Sequence, residues 1–303
     1  MSRMAEMLTN GFRYFLQAVQ PGTSGARVRA RTHIRRRVAL EYLSRFRSEI
    51  TFRRNGFLWT GSPSCTITRA IFIDGQHQDV YIDFLGKWIH GDRTVIVNVG
   101  ANIGDTALPL SRAGKRILAI EPSPETFRRL QHNVRNNGLD NAITCSQVAI
   151  SATAGTAELI IAAQPGNNEI LGESGSVGFD GEDRRRGVVS VPTMPLDSLL
   201  SSFQVTPDQV ALVWSDTQGF ESQVIESGAG LWANGVPLWV EVWPKGLDCH
   251  GGTGRFVQLC KQNFKQFSTA GQIRMAPQPI EALESTVAEL KEHGESTDIL
   301  LIP

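Results

Sequence analysis

From residue 94 onward, short apolar runs alternate with stretches of helical spacing. Thr94 to Val99 reads as a strand, 105–113 as a helix, Arg116 to Ile120 as a strand, Pro124 to Asn137 as a helix and Ile143 to Ile150 as a strand. Alternation at this spacing predicts βαβ units, and hence a doubly wound, mostly parallel sheet with right-handed crossovers. Further strands are expected at 156–162, 188–194, 210–215, 238–243, 267–269 and 298–302, with helices at 253–264 and 280–292. The chain before this region reads differently. Helical stretches at 5–19 and 33–50 flank the turn residues 21–25, residues 57–73 alternate loosely like short strands, and Val80 to Ile89 returns to helical spacing. The expected organisation is a helical and strand extension over 1–90 and an α/β domain over 91–303. Residues 164–187, rich in Gly, Asn, Glu and Arg, read as a long loop, and such loops in compact domains usually carry function.

Composition adds limits. With 303 residues, 41% apolar and 20% charged, the chain is globular in type, and no run reaches the ~18 apolar residues of a membrane span. Cys65, Cys145, Cys249 and Cys260 lie far apart without metal-ligand spacing, which is expected of free thiols in a reducing cytoplasm. Met1 to Gln20 lacks the apolar core of a secretory signal, so a cytoplasmic location is expected. Net charge is zero overall, but residues 1–60 hold twelve Arg against three Glu. The favoured reading is a basic arm packed on an acidic body; nucleic acid or an anionic membrane surface is the less expected partner, and against nucleic acid no reading motif accompanies the arginines.

Candidate chemistry begins at Val95-Ile-Val-Asn-Val-Gly-Ala-Asn-Ile-Gly-Asp105, a buried strand entering a glycine-spaced turn. Gly100 and Gly104 permit a tight turn and close approach to a ligand, and free amides at the helix start would serve an anionic group. Glu121 ends the next strand, twenty-one residues past Gly100, where a carboxylate can accept both ribose hydroxyls. The pair predicts a ligand containing adenosine. A nicotinamide-dependent oxidoreductase shares these features but expects Gly-x-Gly-x-x-Gly, of which only Gly100 and Gly104 are present.

These residues resemble the FkbM-type S-adenosylmethionine-dependent methyltransferases, of the class I Rossmann-like group. The resemblance rests on Val99-Gly-Ala-Asn-Ile-Gly-Asp105, Ile120-Glu-Pro-Ser-Pro-Glu-Thr-Phe127, Val148-Ala-Ile-Ser151, Leu196-Asp-Ser-Leu199 and Ser215-Asp-Thr-Gln-Gly-Phe-Glu221. It implies a seven-stranded sheet with one antiparallel strand near the C-terminus. It further implies O-methylation of a hydroxyl on a glycan or natural-product small molecule. By the same resemblance Asn98, Gly100, Ala101, Asn102, Gly104, Glu121, Pro122, Gln147, Val148 and Asp216 would hold the cofactor. Three positions depart from the family pattern: Asn98 stands where an acid is usual, Trp214-Ser215 replaces a common Lys before Asp216, and Gln218 replaces an acid. These departures motivate a second alternative, a non-catalytic binding module that keeps the fold.

Asp216 ends a strand beside the glycine turn and is the leading candidate for general base, the alternative being a helix N-cap. His250, in a loop expected over 245–252, is a second candidate base. Asp216, Glu241 and Asp248 are the candidate ligands of a divalent metal, although the metal itself is left unknown by the spacing. Trp232, Trp239 and Trp243 are expected to cluster in the core, and the 164–187 loop with Arg184 to Arg186 to cover a polar or anionic acceptor.

Overall fold

The computed structural model describes residues 26–75, 81–89, 91–162, 167–172, 178 and 186–303. The helix expected at 5–19, the break at 21–25 and most of the 164–187 loop, including Arg184 and Arg185, lie outside the described residues. Strands are β1 (Ile50–Arg54), β2 (Phe57–Gly61), β3 (Val95–Val99), β4 (Arg116–Ile120), β5 (Ile143–Ser146), β6 (Ala149–Ile150), β7 (Gly155–Ile161), β8 (Glu169–Ile170), β9 (Gly187–Met194), β10 (Val210–Ser215), β11 (Leu238–Val242), β12 (Gln266–Thr269), β13 (Gln278–Pro279) and β14 (Thr297–Ile302).

The central sheet runs β13-β12-β14-β11-β10-β3-β4-β5. Strands β5, β4, β3, β10 and β11 are mutually parallel, and β14 is antiparallel to both β11 and β12. The mostly parallel α/β architecture and the antiparallel C-terminal strand are therefore present. An eighth, two-residue strand, β13, is paired antiparallel to β12 at the edge, beyond the seven expected. Consecutive residues of the parallel strands feed opposite cores. Val95, Val97 and Val99 enter one cluster with Leu118, Ile120 and Val240, whereas Ile96 enters the other with Ile117, Ala119 and Trp239. Strands buried on both faces read as continuous apolar runs, which is why these were legible.

Several local readings change. The single strand expected at 143–150 splits at Gln147-Val148 into β5 of the central sheet and β6 of a smaller sheet, β6-β9-β7-β8. Residues 66–74, expected as strand, form a helix closed by Gly75 at φ 90°, because Ile67, Thr68, Ile71 and Phe72 recur at helical spacing on one buried face. The helix expected to run to 50 ends at Ser44, and Ile50–Arg54 turns back as β1 against β2. The loop expected at 245–252 opens with a helical turn, Pro244–Asp248, started by its proline. The three tryptophans separate: Trp239 stacks on Trp214 at 5.6 Å in one core, Trp232 meets Phe264 in the other, and Trp243 packs beside Gly178 and Gly246.

The extension shares its core with the sheet, since Leu40, Phe52, Trp59, Ile71, Phe72, Leu85 and Ile89 belong to the same cluster as Ile96 and Leu212. The junction is sewn by Asn133 of the Pro124–Asn136 helix. Its Oδ1 accepts from the Thr60 amide at 2.7 Å, and its Nδ2 donates to the carbonyls of Thr60 and Ile103 at 3.0 and 2.8 Å. Asn133 is fully buried, so no water replaces these bonds. Asn133→Ala is expected to destabilise the chain by on the order of 3 kcal/mol, the cost of stranding several buried polar groups, measured by urea unfolding against wild type.

Candidate functional site

The turn after β3 is held by its own backbone. The amides of Gly100 and Ala101 both donate to the Ile120 carbonyl at 2.9 Å, that of Asn102 to Glu121 Oε2 at 3.0 Å, that of Ile103 to Asn102 Oδ1, and that of Gly104 to the Ala101 carbonyl. The expected row of free amides is thus taken up internally, and residues 100–104 leave no donor set for a pyrophosphate. Gly100 has φ 77°, and a Cβ there would sit 1.8 Å from the backbone oxygen of Asp216. Its glycine is demanded first by the neighbouring strand, so even Ala would force β3 and β10 apart. Asn102 also takes a left-handed conformation, φ 45°, which Asn tolerates better than most residues.

Glu121 faces a cleft of about 200 Å³ at the carboxyl ends of β3, β4, β10 and β11. Gly100, Asn102, Glu121, Pro122, Val148 and Asp216 all line it, together with Asp105, Gln218 and Glu241. The Glu121 carboxylate accepts from the amides of Asn102 and Ser123, yet burial raises its pKa to about 7. Two acceptor lone pairs remain for a ligand's hydroxyls. Asn98, Ala101, Gly104 and Gln147 do not line the cleft. Asn98 is fully buried and accepts from Thr106 Oγ1 at 2.8 Å, Ala101 and Gly104 shape the turn, and Gln147 is exposed.

Across the cleft, Asp216 follows β10 and Glu241 lies in β11. The side-chain amide of Gln218 donates to both, at 2.6 Å to Asp216 Oδ1 and 3.0 Å to Glu241 Oε2. Gln218 adopts φ 57°, and the following Gly219 has φ 103° and packs so closely on Gly246 that a Cβ would lie 2.4 Å from its carbonyl carbon. The loops after β10 and β11 are therefore locked backbone to backbone. Burial, then the charges of Asp216, Glu221 and Asp298, push Glu241 well above the usual carboxylate range. Glu221 does not line the cleft. Its Oε1 accepts from the amide and hydroxyl of Thr217, and burial raises it to about 7. The residue at the N-cap of the following helix is Phe220, not Asp216.

His250 is placed behind this wall. It is 4% exposed, its ring meets Phe220 edge-on at 4.9 Å, and burial lowers its pKa to about 4. Asp248 pairs with Lys291 at 2.8 Å, so it does not join Asp216 and Glu241. Among the described residues no group of three or more His, Cys, Asp or Glu is placed to hold a metal ion. The remaining walls come from outside the parallel strands: Thr66 and Ile67 from the extension, Leu159 and Ile170 from the smaller sheet, and Asn167 and Asn168 from the loop before β8. Asn167, Asn168 and Ile170 fall in the 164–187 loop that the sequence marked as the acceptor cover, whereas no motif marked Thr66, Ile67 or Leu159. The left-handed Gln218-Gly219 pair is the one missed feature with a local signal, a glycine just after the β10 acid.

An open α/β sheet whose cleft lies where the crossovers diverge, between β3 and β10, with a buried carboxylate, Glu121, just after the next strand, places the chain in the Rossmann-like fold class. The sequence model of the Methyltransferase FkbM domain matches residues 98–275. The chain belongs to this family of methyltransferases. It is 28% identical over 175 residues, half of this chain and 68% of the relative, to the methyltransferase sdnD of Sordaria araneosa. A shorter stretch of 53 residues is 43% identical to a tRNA (guanine(37)-N(1))-methyltransferase of Danio rerio, covering 18% of this chain and 11% of that protein. Among solved structures, geranyl diphosphate C-methyltransferase from Streptomyces coelicolor A3(2) aligns with TM-score 0.41 and 10% identity over 78% of this chain and 80% of its own.

Buried Glu221 gives a pH dependence of known sign. Its pKa is higher folded than unfolded, so its contribution to stability is complete below about pH 4.5 and is lost as pH rises through about 7. Glu221→Gln keeps the acceptor for Thr217 without the charge. Urea unfolding at pH 5 and pH 8 should show a stability loss in wild type that the variant reduces by on the order of 3 kcal/mol.

Proposed function

We propose that the chain transfers a methyl group from S-adenosylmethionine to a hydroxyl oxygen of an uncharged glycan or natural-product acceptor, with Asp216 as general base. The observation carrying this reading is the composition of the cleft. Asp105, Glu121, Asp216 and Glu241 line it and, among the described residues, no Lys, Arg or His does. Such a wall suits a cationic cofactor and, of the polar or anionic acceptors expected, favours the uncharged polar ones. A nicotinamide dinucleotide fits poorly, because its pyrophosphate would face carboxylates across a turn whose amides are already bonded.

When bound, the cofactor supplies an electrophilic methyl on a sulfonium. In this reading the Gly100 to Gly104 turn, with Asn98 and Ala101 behind it, shapes the floor of the cofactor site. Glu121 accepts the ribose hydroxyls, and Pro122 and Val148 border the adenine. Burial and the neighbouring carboxylates raise the pKa of Glu241 and favour its protonated form, and Asp216 is assigned to take the proton of the acceptor hydroxyl as the oxygen attacks. Gln218, donating to both carboxylates, fixes their separation. The amides of Asn167 and Asn168 and the apolar Ile67, Leu159 and Ile170 suit the mixed surface of a sugar or polyketide. Positioning of this kind contributes roughly 7–11 kcal/mol in favourable cases.

Two outcomes test the roles. Glu121→Ala should weaken S-adenosylmethionine binding by about 1.5–3 kcal/mol in calorimetric titration, the value of a hydrogen bond to a charged group; unchanged affinity removes Glu121 from the site. Asp216→Asn should bind the cofactor while single-turnover transfer to a hydroxyl acceptor falls roughly 10²–10⁴-fold, whereas His250→Ala at an equal folded fraction should keep the rate. Full activity in Asp216→Asn with loss in His250→Ala would move the base to His250.

A further inference from the structure

The helix Ala26–Ser44 has two apolar faces. One is inward: Ala39 and Leu40 are buried, and Arg36 donates to the Ile73 carbonyl at the end of the 66–74 helix. The other carries Ile34, Val38 and Tyr42, 62%, 65% and 50% exposed, and continues into Phe46, 67% exposed and stacked 4.9 Å from Tyr42. Four-residue steps turn by only about 40°, so these side chains form one stripe. Arg35, Arg37, Arg45 and Arg47 are exposed beside it. The neighbouring acids are paired: Glu49 with Arg129 and Arg128, Glu41, 59% exposed, loosely with Arg69 at 3.8 Å, and Asp74 with His33. The basic arm thus meets the body largely through its acids, and much of its positive charge is left facing outward.

We infer that this stripe docks the chain on an anionic lipid bilayer, with Ile34, Val38, Tyr42 and Phe46 entering the headgroup region and the flanking arginines contacting lipid phosphates and carboxylates. An apolar strip bordered by Arg on an interfacial helix is what such a surface binds. A second copy is the poorer occupant, because a two-fold contact through the stripe would press one arginine cluster on another. The chain's own first 25 residues bring Arg3 and Arg13 against Glu6 and offer no complementary charge. Nucleic acid would gain nothing from Ile34 and Val38, which present no stacking face. The 66–74 helix gripped by Arg36 begins at Thr66 and Ile67 in the cleft wall, so the docking face lies about one short helix from the site.

The test is co-sedimentation of the full chain with phosphatidylcholine vesicles, with and without phosphatidylserine. Binding is expected only to the anionic vesicles and should fall as salt is raised. Arg35→Ala with Arg37→Ala should weaken it about 30-fold, at about 5-fold for each cation near the surface. Val38→Ser with Phe46→Ser should weaken it at least about 10-fold while salt dependence and melting temperature stay as in wild type. Equal binding by the serine variant, no binding to anionic vesicles, retention by polyuridine alone, or a dimer dissociated by the serine substitutions would each overturn the inference.

Discussion

The close approach of two backbones, Gly100 at the end of β3 and Asp216 at the end of β10, sets the geometry on which the site depends. There is no room between them for a methyl group. Because the strands touch there, the glycine turn and the Asp216 carboxylate open onto the same cleft, and the Asp216 amide itself donates to the Val99 carbonyl at 3.0 Å. Glycine at this position serves the sheet before it serves any ligand. A second contact of the same kind, Gly219 on Gly246, ties the loops after β10 and β11 and presents Asp216, Gln218 and Glu241 as one unit.

The departures from the family pattern acquire physical content in this setting. Gln218 stands among carboxylates that already repel one another, and a neutral amide with two donors binds Asp216 and Glu241 together where a third acid would add to the repulsion. Asn98 lies behind the turn, hydrogen-bonded to Thr106, in a place where an ionised side chain would be buried. Both replacements lower the negative charge in and behind a cleft that remains strongly acidic.

The extension and the smaller sheet complete the enzyme in a way the parallel strands do not. Residues before 90 share a hydrophobic core with the sheet and contribute Thr66 and Ile67 to the cleft, while β7 and β8 supply Leu159 and Ile170. On the proposed assignment of the motif residues to the cofactor, these are the walls that would distinguish acceptors. The same extension presents the arginine-bordered apolar stripe on its outer face, so one element links the cleft wall with a surface suited to an anionic bilayer.

The sequence by itself determined the parallel core, because strands buried on both faces must be continuous apolar runs, and it placed the turn and the acid Glu121 at the cleft, because each sits at a strand end with fixed spacing. It placed Asp216 in the cleft for the same reason. Only the tertiary structure decided that the turn's amides are spent on β4, since their partner carbonyl, Ile120, is twenty residues away from Gly100. It likewise separated His250 and Asp248 from the site, turning one against Phe220 and the other to Lys291. The helix at 66–74 escaped the periodicity because its apolar residues are β-branched and aromatic, types that also suit strands, and packing against β1 and the N-terminal helix chose between the two. Local pattern reports which face of an element is buried. Which distant group meets that face depends on crossovers and backbone contacts that no single segment encodes.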